Sequence, residues 1–151
     1  MERVVATLAA LGITEPRIRK FPDSTATAAE AAAAIGTSVE RIVKSLVFMA
    51  GDQPILVLVS GSNRVDTVLL QALVGAPVKR ASANQVRAVT GFPIGGVPPV
   101  GHPTPLATYL DGDLLQYDEV WASAGTPHSV FPIAPETLLS ITRARIADVH
   151  D

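Results

Sequence analysis

Apolar residues follow one another along the chain in two patterns, one typical of helices and one typical of strands. Helical spacing of apolar residues over Glu2–Leu11 predicts a first amphipathic helix, which ends at Gly12. In contrast, Ser45–Met49 and Ile55–Ser60 are nearly continuous apolar runs on either side of the turn residues Gly51–Pro54. This arrangement predicts a β-hairpin whose strands are buried on both faces.

The same patterns predict further elements in an order that mixes hairpins with crossover connections. The remaining helices are predicted from Ser24 or Thr27 to Ala34, as a short helix from Thr37 or Ser38, and at Val65–Leu73, Ala83–Thr90 and Glu136–Ser140. The remaining strands are predicted at Val78–Ala81, Ala107–Leu110, Leu114–Gln116, Val120–Ala124, Ser129–Ile133 and Arg145–Val149, with Asp111-Gly112 as a hairpin turn. We therefore expect a single domain over residues 1–151, of the α/β class with a mixed β-sheet.

Composition excludes several kinds of chemistry and partner. The chain has no cysteine, which excludes disulfides, thiolate metal sites and a cysteine nucleophile. A net charge of −2 argues against a broad basic surface that binds nucleic acid. It does not argue against binding of a short nucleic-acid segment through a few local charges. Every apolar run is far shorter than the ~20 residues of a membrane-spanning helix. We therefore expect a soluble intracellular protein with no membrane partner.

The segment Gly91–Pro105 has the composition of a rigid loop. It holds 4 glycines and 5 prolines in 15 residues, which no regular element tolerates. Such a loop can bring backbone N–H groups close to an oxyanion, a carboxylate or a phosphate. The alternative interpretation is a structural crossover that only needs tight turns, and composition leaves both open.

Three side chains are candidates for binding a ligand. Lys44 comes directly before a buried strand, so its ammonium group either reaches a cleft and binds an anion or extends to solvent. His128 follows a strand in a glycine-containing turn, where it either contacts a substrate or holds the turn. His102 follows the glycine- and proline-rich loop. The two histidines have no further metal ligands at a recognised spacing, so the sequence predicts neither a metal site nor a cofactor.

Four stretches of the chain together resemble one known family. They are Thr25–Phe48 (TATAAEAAAAIGTSVERIVKSLVF), Pro54–Asp66 (PILVLVSGSNRVD), Thr90–His102 (TGFPIGGVPPVGH) and Val120–Leu139 (VWASAGTPHSVFPIAPETLL). In this order they resemble the YbaK/ProX/INS family, the aminoacyl-tRNA editing domains associated with prolyl-tRNA synthetase. The resemblance covers most of the chain.

The resemblance implies a cytoplasmic hydrolase that removes wrongly attached amino acids from the 3′ acceptor end of tRNA. It implies a curled, barrel-like mixed sheet surrounded by helices, and a free-standing protein that acts in trans, as a monomer or homodimer, with prolyl-tRNA synthetase as a further partner. Lys44 would contact the 3′-terminal nucleotide, and the glycine loop would present backbone amides to the ester. The implied catalytic residues are Lys44, Gly95, Gly96 and Gly101. The implied substrate-binding residues are Phe21, Val97, Pro98, His102, Ser123, Gly125, Thr126 and His128.

The turn after Ser123 bears on the amino acid that is removed. The YbaK branch, which clears cysteine, carries an Arg-Gly stretch after Ser-Ala-Gly, whereas this chain has Thr126-Pro127-His128. That turn is closer to the synthetase-inserted and ProX-like branches, which implies tRNA-Pro carrying alanine or another small amino acid. Two alternatives stay open: a non-catalytic module of the same fold that binds the tRNA 3′ end or a small ligand, and a hydrolase of an ester outside RNA.

Overall fold

The structure is a computed structural model in which residues 1–150 are described, so only Asp151 of the predicted domain lies outside the described residues. The helices are α1 (Glu2–Ala10), α2 (Ala28–Ile35), α3 (Thr67–Val74), α4 (Ala83–Thr90) and α5 (Pro135–Thr142), with 3₁₀ helices at Val39–Arg41 and Gly112–Gln116. The strands are β1 (Arg19–Lys20), β2 (Val43–Ala50), β3 (Gln53–Ser60), β4 (Val78–Arg80), β5 (Ala107–Asp111), β6 (Val120–Ser123), β7 (Ser129–Ile133) and β8 (Arg145–Ala147).

The β2–β3 hairpin forms the centre of a mixed sheet of five strands, in the order β4-β2-β3-β5-β8. β2 pairs antiparallel with β3 and β4, whereas β5 runs parallel to both β3 and β8. Leu56, Val57, Leu58 and Val59 of β3 are fully buried. The prediction of a strand covered on both faces is therefore confirmed for β3, as its nearly continuous apolar run indicates.

A smaller sheet stands beside the first one. Its three strands follow the order β1-β7-β6, and both pairings are antiparallel. A bridge between Ile42 and Trp121 connects the start of β2 to β6. The predicted α/β fold with mixed strand pairing is confirmed, although the strands form these two sheets and do not close into a barrel.

Side-chain caps fix where two of the helices begin. Thr27 Oγ1 accepts a hydrogen bond from Glu30 N, and the Glu30 carboxylate accepts one from Thr27 N, which starts α2. Ser82 and Gln85 make the same reciprocal pair at the start of α4. The start of α4 is the predicted one, and of the two predicted starts of α2 it is Thr27 that caps the helix. This spacing satisfies backbone N–H groups that a helix leaves open. Across residues 1–150, no helix has the length and apolar character to cross a membrane.

One predicted strand and one predicted turn are wrong. Leu114–Gln116 belongs to the 3₁₀ helix, and Asp111-Gly112 leads into that helix without making a hairpin turn. The physical reason is that Asp111 Oδ1 accepts a hydrogen bond from Asp113 N at 2.9 Å, which caps a helical turn. Leu114 is fully buried, so its apolar side chain serves the core and not a strand.

Candidate functional site

A cavity of about 410 Å³ opens between β2, the start of α2, the β6–β7 pair and the glycine- and proline-rich loop. Its walls are mostly small and branched apolar side chains, among them Val43, Val47, Val97, Ala122 and Val130. The polar side chains on its lining include Thr25, Thr27, Lys44, Arg80 and Ser123. Apolar walls with a few convergent polar groups are the usual form of a small-molecule site.

Lys44 brings a positive charge to this cavity from β2. Its Nζ donates a hydrogen bond to the backbone oxygen of Asn63 at 2.5 Å. Burial lowers the pKa of Lys44 below its usual value, and the neighbouring charges of Arg80 and Arg64 lower it further. Three cations near one opening attract an anion locally, although the chain as a whole has a net charge of −2.

Gly95 and Val97 bring the glycine- and proline-rich loop to the cavity. Gly95 has a φ of 84°, and a Cβ placed on it would lie 2.7 Å from the Cβ of Ala26. The loop therefore approaches the start of α2 as closely as only glycine permits. Within residues 1–150 the Gly95 N–H has no hydrogen-bond acceptor, whereas the Gly96 N–H already donates to Pro93 O at 2.9 Å.

The later part of the loop lies behind the cavity lining. Gly101 packs against α1, where an added Cβ would lie 3.6 Å from Val4 Cα. His102 Nε2 donates to Pro98 O at 2.8 Å, and its ring meets Phe92 edge-on. Burial lowers the pKa of His102, and the hydrogen bond to Pro98 opposes that shift. These contacts hold the shape of the loop, and Pro98, Gly101 and His102 are not part of the lining.

The end of β6 places one predicted residue in the cavity lining, and the turn that follows connects the other predicted residues by hydrogen bonds. Ser123 is on the lining, and its Oγ accepts a hydrogen bond from Gly125 N at 3.1 Å. Thr126 Oγ1 accepts one from His128 N at 3.1 Å. His128 Nδ1 lies 3.0 Å from Asp23 O, and a carbonyl only accepts, so Nδ1 carries the proton and Nε2 of the neutral ring is an acceptor.

The segment before α2 is fastened to the same turn and forms the rim of the cavity. Phe21 N donates to His128 O at 2.8 Å. Both the backbone N and the Oγ1 of Thr25 donate to Pro127 O, at 2.6 and 3.1 Å. The Arg19 guanidinium lies 5.0 Å from the centroid of the Phe21 ring. Phe21, which the resemblance implies as a substrate-binding residue, therefore lies next to the rim and is absent from the lining.

Sequence reasoning missed the lining residues at the start of α2 and those of β6 before Ser123. Thr27 and Ala28 line the cavity from the N-terminus of α2, and Trp121 lines it from β6. The capping residues indicate where α2 begins, but no local signal tells where its N-terminus points. Arg80 is also on the lining, and nothing in the sequence separates it from a surface arginine.

One group of side chains among residues 1–150 has the composition of a metal site. Ligand atoms of Asp111, Asp113 and His150 lie within 4.8 Å of one another. The sequence predicts no metal site, because this histidine lies far along the chain from the two carboxylates. None of the three residues lines the cavity.

Comparison with known proteins decides the family. Residues 22–141 match the model of the aminoacyl-tRNA editing domain. The chain belongs to the aminoacyl-tRNA editing domain family. It is similar to a solved structure described as a candidate trans-editing enzyme for prolyl tRNA synthetase, with 49% identity, a TM-score of 0.94, and coverage of 99% of this chain and 96% of that one.

Two relatives of this editing domain come from bacteria. The uncharacterized protein YwhH of Bacillus subtilis is 33% identical over 133 residues, which are 87% of this chain and 85% of YwhH. The Enterococcus faecalis protein EbsC, a candidate Cys-tRNA(Pro)/Cys-tRNA(Cys) deacylase by its name, is 29% identical over 120 residues, 78% of this chain and 73% of EbsC. The expected resemblance to editing domains associated with prolyl-tRNA synthetase is confirmed, and the matched residues contain the whole cavity lining.

Proposed function

We propose that this editing domain hydrolyses the ester bond of misacylated tRNA, and that its substrate is tRNA-Pro carrying alanine or another small amino acid. One observation carries the proposal: the cavity combines apolar walls, the Lys44 ammonium group and the unpaired Gly95 N–H. The 3′ end of an aminoacyl-tRNA offers the matching groups, which are a small side chain, a phosphate and an ester carbonyl.

The cations near the opening suit the phosphate of the terminal nucleotide. Lys44 and Arg80 line the cavity, and Arg64 is close enough to lower the pKa of Lys44. An ammonium group that contacts a phosphate gains a charge-assisted hydrogen bond of about 1.5–3 kcal/mol. In the proposed complex the phosphate contacts Lys44, and the ribose and the ester extend beyond it towards the Gly95 loop.

The Gly95 N–H suits the oxygen that becomes negative during hydrolysis. A water molecule adds to the ester carbonyl carbon, the carbonyl oxygen becomes an oxyanion, and the bond to the ribose oxygen then breaks. The products are the free amino acid and the tRNA with its terminal hydroxyl. One such N–H donor contributes about 3 kcal/mol to the transition state, and the rigid loop adds the benefit of exact placement. The free hydroxyl of the terminal ribose orients the water.

The apolar walls favour amino acids with a small uncharged side chain. Val43, Val47 and Val97 would bury a charged side chain without a partner, which costs several kcal/mol. The turn Thr126-Pro127-His128 supports the small amino acids of the ProX-like branch. The name of EbsC makes cysteine the competing amino acid. Since aminoacyl-tRNA serves translation, the proposed activity belongs to the cytoplasm.

A deacylation screen tests the proposal. Purified protein is incubated with tRNA-Pro charged with alanine, serine, cysteine or proline, and release of the amino acid is followed against spontaneous hydrolysis. We expect fast release of alanine and no release of proline. A second arm uses alanyl-tRNA with a terminal 2′-deoxyadenosine, for which we expect a strongly reduced rate.

Each other outcome has a clear meaning. Release of cysteine in preference to alanine would refute the proposed amino acid, but the protein would still be a deacylase. An unchanged rate on the 2′-deoxy substrate would remove the ribose hydroxyl from the mechanism. Protection of every ester from hydrolysis would identify a binding module and refute the deacylase.

A further inference from the structure

The lysine at the cavity is held by a neutral group and not by a carboxylate. Lys44 Nζ donates to the backbone oxygen of Asn63, and no ion pair involves Lys44 among residues 1–150. A lysine has a long flexible side chain, whose ordering is opposed by the loss of rotamer entropy. The position of the Asn63 carbonyl therefore decides where the ammonium group stands.

The Asn63 side chain is itself fixed from the opposite direction. Its Nδ2 donates to Asp111 Oδ2 at 2.7 Å and to Asp113 Oδ2 at 2.9 Å. Carboxylates only accept, so the amide has one orientation that satisfies both bonds. The Asn63 backbone N donates to Ser60 O at 2.9 Å. The residue is thus held at its backbone and at its side chain, which leaves its carbonyl aimed at Lys44.

Asp111 is the anchor of this arrangement. It ends β5 and is 0% exposed, a position that a carboxylate occupies only when its oxygens are hydrogen-bonded. Asp111 Oδ2 accepts from Ser60 N at 3.1 Å in addition to Asn63 Nδ2. Its Oδ1 accepts from Asp113 N and lies 3.6 Å from His150 Nε2. These bonds connect β5 to the turn that follows β3.

We infer that Asn63 and Asp111 are positioning residues for Lys44, which set its ammonium group at the cavity without touching the substrate. Neither residue lines the cavity. The route is short: the Asp111 carboxylate fixes the Asn63 amide, and the Asn63 carbonyl fixes the Lys44 ammonium group. The inference rests on the proposed function for its effect on catalysis, but the arrangement of Lys44 is measurable without any substrate.

A double-mutant cycle tests the catalytic effect. Asn63→Ala is expected to lower kcat/KM for alanyl-tRNA about tenfold, as loss of an orienting residue behind a functional group commonly does. In the Lys44→Ala background the same substitution is expected to change kcat/KM no further, because its effect acts through Lys44. Ser62→Ala is the matched control, since Ser62 is exposed in the same turn and does not contact Lys44. A purely structural role would give equal losses in both backgrounds and would overturn the inference.

A second measurement reads Lys44 directly. The lysines of the chain are only Lys20, Lys44 and Lys79, so carbon-13 lysine labelling gives few ε-carbon signals, and Lys44→Arg identifies the one of interest. We expect the Lys44 signal to differ from the exposed lysines, to move towards them in Asn63→Ala and to stay in place in Ser62→Ala. An unmoved signal in Asn63→Ala would refute the inference.

The outcomes separate the two proposals. If the wild-type protein hydrolyses no aminoacyl-tRNA, the proposed function fails, and the carbon-13 signal still decides the positioning of Lys44. If Asn63→Ala does not fold, Asp113→Ala replaces it, because Asp113 is exposed and supplies only one of the two acceptors of the Asn63 amide. Its loss in kcat/KM is expected to be smaller and again to vanish without Lys44.

Discussion

Replacement of Gly95 by alanine tests whether the close approach of the loop to α2 matters for catalysis. Gly95 has a φ of 84°, in the left-handed region, where an alanine costs about 1–2 kcal/mol. The new Cβ would also lie 2.7 Å from Ala26 Cβ, whereas carbon atoms at contact are about 3.5–4.0 Å apart. The loop must therefore move by about 1 Å, and a misplacement of that size costs about 100-fold in rate.

The assay compares Gly95→Ala with variants that carry only part of this change. Gly51 also has a positive φ, 63°, but an added Cβ there meets nothing within 4 Å. Gly51→Ala is thus expected to lose stability in urea by about 1–2 kcal/mol and to keep its kcat/KM. Gly95→Ala is expected to lose similar or greater stability and about 100-fold in kcat/KM for alanyl-tRNA.

A second substitution separates the collision from the strain. Ala26→Gly removes the Cβ that Gly95→Ala would meet, so the double variant is expected to regain most of kcat/KM while the cost of the positive φ remains. If Gly95→Ala hydrolyses alanyl-tRNA at the wild-type rate, the loop is not positioned against the ester, and the assignment of the Gly95 N–H is wrong.

Three further predictions follow from the same contacts. Lys44→Ala is expected to lower kcat/KM about 10–100-fold, the equivalent of one charge-assisted hydrogen bond, with an unchanged circular dichroism spectrum; wild-type kinetics would remove Lys44 from the site. The binding constant for the tRNA 3′ end is expected to fall with salt concentration at a log–log slope of about −2, because Lys44, Arg64 and Arg80 offer about three contacts to a single strand. A much steeper slope would indicate contacts with the whole tRNA. Because the pKa of His102 is lowered in the folded protein, the unfolded chain binds a proton there at a higher pH, and the free energy of unfolding is expected to fall as the pH drops below about 6.5. His102→Gln should weaken this pH dependence in urea titrations. An identical pH dependence in the variant would contradict the prediction.

The sequence was sufficient where the deciding interactions are local. The caps at Thr27 and Ser82 set the starts of α2 and α4, and the apolar runs set the β2–β3 hairpin. Local signals failed at Leu114–Gln116, because a side-chain bond from Asp111 turned an apolar segment into a 3₁₀ helix. The deciding bond at Asp111 is also local, but an aspartate followed by glycine is equally typical of a hairpin turn, so the pattern allowed two structures.

The candidate site was harder to predict because its residues meet through contacts between distant segments. Gly95 and Gly101 look equivalent in the sequence, yet one lines the cavity and the other packs on α1. Lys44 was identifiable, but the partner of its ammonium group is a carbonyl after β3, fixed by a carboxylate at the end of β5. Such an arrangement depends on the tertiary fold and leaves no periodic or spacing signal.

The bonds between Thr25 and Pro127 also determine when during synthesis the site can exist. These residues are 102 positions apart, and closing a loop of that length costs about 4 kcal/mol of chain entropy before its contacts form. At a ribosomal speed of about 5–20 residues per second, the first residue waits several seconds for its partner to be made. The cavity rim therefore cannot form before Pro127 has been made, and until then a nascent chain lacks the complete cavity.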